Sequence, residues 1–260
     1  MSSELITIGV SFKTAPVELR ERLALSEKRI AEMLAELHAH PCVQEAVVIS
    51  TCNRMEVSVV VDEPVAAENA VLGLLTRNAG MRPTELAEVM YAPRNCDAAR
   101  HLFRVTSGLE SMVIGEAEVQ GQVKRAYERA LAAGTTGPLT NRLFTAALQA
   151  GKRVRTETQI GAGRASVASV AVALAEDALG ELRDRHVVIM GAGETSELVA
   201  RALHDRGVAT FLVANRRADR ALSLAERFGG SVASFDELPG LLESADIVLA
   251  STASPHPIVG

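Results

Sequence analysis

The strongest constraint on the fold is a glycine-rich stretch, HVVIMGAGETSELVA, at residues 186–200. A short apolar run ends in two glycines, and apolar residues at helical spacing follow them. Three further apolar runs, TFLVA, SVASF and DIVLA, come later and alternate with helical patterns. Strands that alternate with helices at this spacing predict a doubly wound parallel sheet, so we expect an α/β fold.

The two glycines are typical of the turn that places a pyrophosphate at a helix N-terminus. Gly191 permits the tight turn, and Gly193 lets the backbone approach the phosphates. Ser196 occupies the position of the third glycine in the GxGxxG motif. Its side chain is small, but the match to the motif is imperfect. The strand before it and the helix after it favour a dinucleotide site.

The residues after the second apolar run indicate which dinucleotide binds. NADH-dependent enzymes place an acidic residue here for the ribose hydroxyls, whereas this chain has Asn215, Arg216 and Arg217. A guanidinium pairs with a 2′-phosphate, and a carboxylate would repel it. We therefore predict NADPH as the cofactor. A basic turn that merely follows a strand is the alternative interpretation.

The first 160 residues have a different pattern. LITIGVSF at 5–12 predicts a strand, Ser26 precedes a helical pattern, and EAVVISTCNRMEVSVVVD predicts two strands with Cys52 between them or at their ends. Helical patterns follow, among them DAARHLFRVTSGLESM at 97–112. The small residues of QIGAGRAS at 159–166 indicate a hinge. We expect an α+β domain at 1–160 and a Rossmann-like domain at 161–260.

Composition and charge exclude several classes of protein. No apolar run reaches membrane-spanning length, and the N-terminus lacks a secretory signal. The three cysteines are scattered without a CxxC pair, which argues against disulfides or structural zinc and favours the cytoplasm. The net charge of −5 argues against a protein that binds nucleic acid through its overall charge. A polynucleotide would need a local patch such as Lys152, Arg153 and Arg155, which is otherwise a solvated helix face.

Two side chains are candidates for chemistry. Cys52 lies in STCNRMEV, where Thr51, Asn53 and Arg54 provide polar groups that a packed strand seldom carries. A nucleophilic thiolate would attack an activated acyl group and form a thioester, and a hydride donor would then reduce this thioester to an aldehyde. His101 is suited to proton transfer. The alternatives are an inert, half-buried thiol and an ordinary helix histidine.

Six stretches in order along the chain resemble the glutamyl-tRNA reductase family. They are GVSFKTAPVELRERLA, STCNRMEV, HLFRVTSGLESMVIGEAEVQGQVK, KRVRTET, GAGETSELVA and ANRR. The family uses NADPH to reduce the glutamate ester on its tRNA to glutamate-1-semialdehyde, the first committed step of tetrapyrrole synthesis, which leads to porphyrins and heme. The resemblance implies an oxidoreductase with glutamyl-tRNA as its substrate and the downstream semialdehyde aminomutase as a further partner.

The resemblance also implies roles for individual residues. Cys52 would be the nucleophile that holds glutamate as a thioester, and His101 would assist proton transfer in this catalytic domain. The matching positions near the glutamate pocket are Thr51, Arg54, Ser111, Glu116 and Gln122. From charge, we assign Arg54 to the substrate α-region or carboxylate and Glu116 to its ammonium group. The matching positions on the NADPH side are Gly191, Gly193, Glu194, Thr195, Asn215, Arg216, Arg217 and Thr252.

The chain departs from the family pattern in two places. The family usually has GAGEMG where this chain has GAGETS, and we expect binding to survive because Thr195 and Ser196 are small. The sequence also ends at Gly260, whereas the family continues with more strands, a connecting helix and a helical dimerisation domain. The expectation is an incomplete NADPH domain in a truncated chain that does not form the family's dimer.

Two other functions stay open on sequence grounds. The chain would be a different NADP-linked dehydrogenase if Cys52 were inert, since alcohol oxidation needs no acyl-thioester nucleophile. It would be a non-catalytic module that binds glutamyl-tRNA or a pathway partner if truncation had removed the activity. Cys52, Arg54 and His101 together favour the enzyme.

Overall fold

A computed structural model describes residues 3–161, 166–208, 211–214, 218–234 and 236–252. The chain divides into two compact units, one up to residue 164 and one from residue 165 onwards. Each unit has its own sheet and its own hydrophobic core. Within the described ranges, no helix is long and apolar enough to cross a membrane.

The first unit is an α+β structure with an antiparallel sheet. Its elements are β1 (Glu4–Ser11), α1 (Val17–Leu23), α2 (Glu27–His38), β2 (Val43–Ser50), β3 (Arg54–Val61), α3 (Pro64–Ala79), α4 (Pro83–Ala87), α5 (Cys96–Thr106), α6 (Glu118–Ala132) and α7 (Pro138–Glu157). The strand order is β1-β3-β2. The central strand, β3, is buried along its whole length, although it carries charged residues.

Local sequence signals explain most of these boundaries. The Ser26 side chain accepts a hydrogen bond from the Arg29 amide and caps α2, as predicted. Apolar residues at helical spacing then turn one face of α2 into the core, namely Ile30, Met33, Leu34 and Leu37. Helix α3 ends at Gly80, which adopts a left-handed conformation with φ of 59°.

The second unit is a parallel sheet with helices between its strands. Its elements are α8 (Val167–Leu179), β4 (Val187–Met190), α9 (Glu194–His204), β5 (Phe211–Ala214), α10 (Ala218–Phe228), β6 (Ser231–Ala233), α11 (Leu238–Ser244) and β7 (Ile247–Ala250). The strand order is β6-β5-β4-β7, and each described pair is parallel. All four residues of β4 are buried, as expected for a strand covered on both faces. The predicted doubly wound fold is confirmed.

One helix is shorter than its pattern predicts. The pattern at 97–112 predicts a helix through Met112, but α5 ends at Thr106 and the next eleven residues form a loop. Gly108 has a φ of 79°, which a helix cannot accommodate, and its amide donates to the Val105 carbonyl. This early end has functional consequences, because the loop contributes to the candidate site.

A buried carboxylate from the sheet caps a helix of the first unit. Glu45, on β2, is 7% exposed, and α7 begins beside it. Its carboxylate accepts hydrogen bonds from the Leu139 amide at 3.2 Å, the Thr140 amide at 2.7 Å and the Thr140 hydroxyl at 2.6 Å. A negative charge at a helix N-terminus is favourable, and these amides have no intrahelical acceptor. This interaction fixes α7 to the sheet.

We expect Glu45→Gln to lower the free energy of unfolding by about 2 kcal/mol, because an amide nitrogen cannot accept the bonds that a charged oxygen accepts. Urea titration followed by circular dichroism measures this loss. Glu32→Gln is the matched control, since Glu32 is 43% exposed and its ion pairs in the described part of the chain are with Lys28 and Arg29 on its own helix. Equal stability of the two variants would show that Glu45 does not anchor α7.

Candidate active site and family

Cys52 lies at the tip of a β-hairpin. Strands β2 and β3 are paired up to Ser50 and Met55, and the Thr51 amide donates to the Arg54 carbonyl at 2.9 Å. Cys52 and Asn53 therefore form the tight turn between the strands. The Thr51 hydroxyl accepts hydrogen bonds from the Asn53 amide at 3.2 Å and the Arg54 amide at 3.1 Å. Thr51 thus shapes the turn that exposes Cys52.

Arg20, on α1, holds this turn from outside the hairpin. Its guanidinium donates to the Cys52 carbonyl, and at 3.3 Å to the Asn53 side-chain oxygen. The β1 end adds a hydrogen bond of 2.9 Å from the Phe12 amide to the Asn53 carbonyl. The sequence analysis missed Arg20, because α1 was not predicted and nothing local links residue 20 to residue 52.

A buried carboxylate lies on β3, two residues after Arg54. Glu56 is 0% exposed, and one of its oxygens, Oε1, is shared by three partners. Arg54 Nη1 donates to it at 2.7 Å, the Tyr91 hydroxyl donates to it at 2.6 Å, and His101 Nε2 lies 2.9 Å away. Burial by itself raises the pKa of Glu56, but Arg54, His101 and Tyr91 together lower that pKa to about 2. Glu56 is therefore ionised at neutral pH.

The surrounding backbone brings these partners together. Gly9 on β1 pairs with Glu56 on β3, and a Cβ at residue 9 would collide with the Met55 carbonyl and the Glu56 side chain. The same glycine exchanges backbone hydrogen bonds with Tyr91 at 2.9 and 3.0 Å, which brings the phenol to the carboxylate. His101 reaches Glu56 from α5 and lies against the Tyr91 ring, with ring centroids 5.3 Å apart.

The loop after α5 forms another wall of the site. Arg54 donates its second guanidinium nitrogen to the Glu110 carbonyl, so the loop is tied to the hairpin. Ser111 and Glu116 are buried. Burial raises the pKa of Glu116, although the nearby Ser111 and Arg54 oppose the rise. The Ser111 hydroxyl has no well-directed hydrogen bond among the described residues.

The surroundings of Cys52 favour its neutral thiol. The Cys52 residue is exposed, but contact with the surrounding chain removes part of the hydration of its sulfur, and this raises the pKa of Cys52. The Glu116 carboxylate raises this pKa further. The Arg20 guanidinium opposes this rise. The structure thus gathers the predicted Thr51, Cys52 and Arg54 with Ser111 and Glu116.

Gln122 lies on α6, whereas the three residues of the predicted basic patch lie on α7. Gln122 is half-buried on α6, and no described contact joins it to the hairpin. Arg155 donates to the Gln120 side chain and to the carbonyls of Thr106 and Glu116, so it braces the loop after α5. Arg153 pairs with Glu157 on its own helix. Arg155 therefore has a structural role.

The glycine-rich turn of the second unit has the form that a dinucleotide requires. Gly191 has a φ of 110°, and a Cβ there would collide with the Ser251 carbonyl. Gly193 directly precedes α9 and faces open space, so a phosphate has room beside the helix N-terminus. Ser196, in the third glycine position, is buried. Thr195 and Thr252 are exposed.

A cleft of about 540 Å³ adjoins this turn. It is lined by Ala192, Gly193, Glu197, Asp219, Arg220, Ser223, Leu224 and Arg227. Arg227 is paired with Glu197 at 2.8 Å, whereas Arg220 has no ion-pair partner in the described part of the chain. The predicted Asn215, Arg216 and Arg217 lie outside the described residues, as does the Glu194 side chain. Arg220 is a basic residue that the sequence analysis missed.

Comparisons with known proteins now decide the family. A family model for the N-terminal domain of glutamyl-tRNA(Glu) reductase matches residues 8–158, which include the Cys52 turn and the Glu56 cluster. The chain belongs to the glutamyl-tRNA reductase family. A second model, for shikimate/quinate 5-dehydrogenase, matches residues 173–260, in the parallel-sheet unit. The resemblance inferred from the sequence is confirmed.

The relatives are longer than this chain. It is 42% identical to the glutamyl-tRNA reductase of Pelotomaculum thermopropionicum, covering 98% of this chain and 57% of that protein. It is 44% identical to the one from Akkermansia muciniphila, covering 98% and 75%. The solved glutamyl-tRNA reductase from Methanopyrus kandleri is 39% identical with a TM-score of 0.58, covering 98% and 60%. The chain thus spans about three fifths of the first relative and of the solved structure.

We expect Glu56→Gln to destabilise the first unit by about 3 kcal/mol at pH 7, because it leaves the buried Arg54 without its counter-charge. Because the folded pKa of Glu56 is lowered, its contribution is complete above pH 4.5 and is lost as the pH falls towards about 2. Urea titrations at several pH values should therefore show the difference between wild type and variant shrinking below pH 4.5. Glu36→Gln, which breaks an exposed pair with Arg77, is the control. A difference that does not vary with pH would contradict this assignment.

Proposed function

We propose that the chain reduces glutamyl-tRNA to glutamate-1-semialdehyde with NADPH, through a thioester on Cys52. The observation that carries the proposal is a cysteine exposed at a hairpin tip and close to the buried Glu116, on a hairpin whose Glu56 holds a histidine. Family membership supports the same reaction. A cytoplasmic location and the semialdehyde aminomutase as a partner follow from the family and form part of this proposal.

In the acyl-transfer step, the Cys52 sulfur attacks the ester carbonyl and a carbon–sulfur bond forms. The carbon–oxygen bond to the tRNA ribose then breaks, and the ribose oxygen takes up a proton. His101 is suited to move this proton because its Nε2 atom is held by Glu56, which orients the ring. Glu56 and Tyr91 act through His101 and Arg54, so they are positioning residues.

The electrostatics suggest that the substrate itself activates the nucleophile. The Glu116 carboxylate raises the pKa of Cys52 and so disfavours the reactive thiolate in the free enzyme. If the glutamyl ammonium group binds at Glu116, the positive charge cancels this effect. Cys52 then loses its proton more readily when the substrate is in place.

The second unit is suited to hold NADPH, which when bound supplies the hydride that converts the thioester to an aldehyde and releases the Cys52 thiolate. Gly191 and Gly193 leave room for the pyrophosphate at the start of α9. Arg220 provides a guanidinium in the adjoining cleft that has no ion-pair partner among the described residues, and a 2′-phosphate is the group it would recognise. Arg216 and Arg217 remain predicted contacts with the same phosphate.

We expect Cys52→Ser to abolish semialdehyde formation without changing the fold, since serine is a poor nucleophile unless a base activates it. Mass spectrometry of wild-type protein mixed with glutamyl-tRNA in the absence of NADPH should show a glutamyl adduct on the peptide that contains Cys52. Cys96→Ser is the matched control, because Cys96 is also exposed but lies at the start of α5. Activity retained in Cys52→Ser would exclude the thioester mechanism. An adduct without semialdehyde would favour a chain that binds and acylates but does not reduce.

We expect Arg220→Gln to weaken NADPH binding roughly 10- to 100-fold and to leave NADH binding unchanged, because only NADPH carries the 2′-phosphate and one charge-assisted contact contributes about 1.5–3 kcal/mol. Fluorescence titration of both cofactors measures this difference. Arg183→Gln is the control, since Arg183 is an exposed arginine of the same unit outside the cleft. Equal losses of affinity for NADPH and NADH would show that Arg220 contacts another part of the nucleotide or serves the stability of the fold.

A further inference from the structure

The loop between α5 and α6 exposes a cluster of apolar side chains. Leu109 is 38% exposed, Met112 54% and Ile114 64%. We call these three residues the apolar lip. Single exposed apolar residues are ordinary on protein surfaces, but several within six residues of one loop indicate a contact surface.

This exposure belongs to an ordered loop. The Gly115 amide donates to the Gly108 carbonyl at 3.0 Å, and the Glu116 amide donates to the Val113 carbonyl at 3.1 Å. The Glu110 carboxylate is held by Lys13 and Arg104. These backbone hydrogen bonds and ion pairs hold the loop in one conformation. In that conformation the side chains of Leu109, Met112 and Ile114 stay exposed to water.

The other side of the same loop is part of the candidate active site. Ser111 and Glu116 lie among the lip residues in sequence and are buried, and the Glu110 carbonyl accepts a hydrogen bond from Arg54. The Glu116 carboxylate also raises the pKa of Cys52. The loop that carries the lip therefore lies close to Cys52.

We propose that the apolar lip binds the 3′-terminal nucleoside of the aminoacylated tRNA, an inference that rests on the proposed function. The glutamyl group is esterified to this nucleoside, so the nucleoside must lie next to the pocket that holds the glutamate. The lip itself carries no charge and so suits a base, while Lys13 and Arg104 around Glu110 leave one net positive charge beside it, which suits the phosphate of the same nucleotide. Methionine is adaptable and makes favourable sulfur–aromatic contacts with a flat ring.

A double-mutant cycle between protein and RNA tests the lip without requiring any chemistry. Uncharged tRNA, and the same tRNA lacking its 3′-terminal nucleoside, are titrated against wild type and against the double variant Met112→Ser, Ile114→Ser. Removal of the nucleoside should weaken binding to wild type about tenfold, in the range of one lost base-stacking contact. The double variant should bind both RNAs with the same, weaker affinity. Val65→Ser, which alters a 67% exposed residue on α3, should behave like wild type.

A second measurement separates this inference from the proposed function. The rate of Cys52 acylation is followed by mass spectrometry with glutamyl-tRNA and with glutamate α-benzyl thioester, which has no nucleoside. The double variant should react about tenfold more slowly with limiting glutamyl-tRNA and at the wild-type rate with the thioester. Equal slowing with both substrates, or equal binding of both RNAs by wild type, would overturn the lip assignment. Failure of wild-type Cys52 to react with either substrate would instead refute the thioester mechanism, and the binding cycle would still decide the lip.

Discussion

The Glu56 carboxylate is the interaction on which the candidate active site depends. It lies on a fully buried strand, and a charge in that position is tolerated only because Arg54, Tyr91 and His101 converge on one of its oxygens. The same contacts hold the histidine ring beside the hairpin and keep the arginine against the loop after α5. Stability and the geometry of the site are therefore coupled, since loss of this carboxylate would release all three partners.

The exposed cysteine follows from this buried framework. The Thr51 hydroxyl and the Arg20 guanidinium satisfy polar groups of the turn, so Cys52 itself is left free to face a substrate. Loss of hydration at Cys52 and the charge of Glu116 then raise the pKa of the thiol. A tight turn with several hydrogen bonds would place the proposed nucleophile more accurately than a longer loop, which suits a step whose rate depends on the angle of attack.

The parallel-sheet unit obeys a different physical rule. Its candidate site arises from the backbone. Gly191, after β4, has a conformation that other residues avoid, and Gly193 faces open space before α9. Both features follow from local sequence, and the glycine pattern alone predicted them. Arg220 was missed because it lies in the first turn of the following helix, and its place in the cleft depends on how α10 packs beside α9.

The sequence by itself determined the fold class, most strands and helices, the family and the identity of Cys52 and His101 as candidates. These depend on hydrophobic period, capping residues and short motifs, which act between neighbours in the chain. Only the tertiary structure decided that Glu56 joins Arg54, Tyr91 and His101, and that Arg20 supports the cysteine turn. Strand register and helix packing bring these residues together from positions up to 45 apart, and no local pattern encodes such contacts.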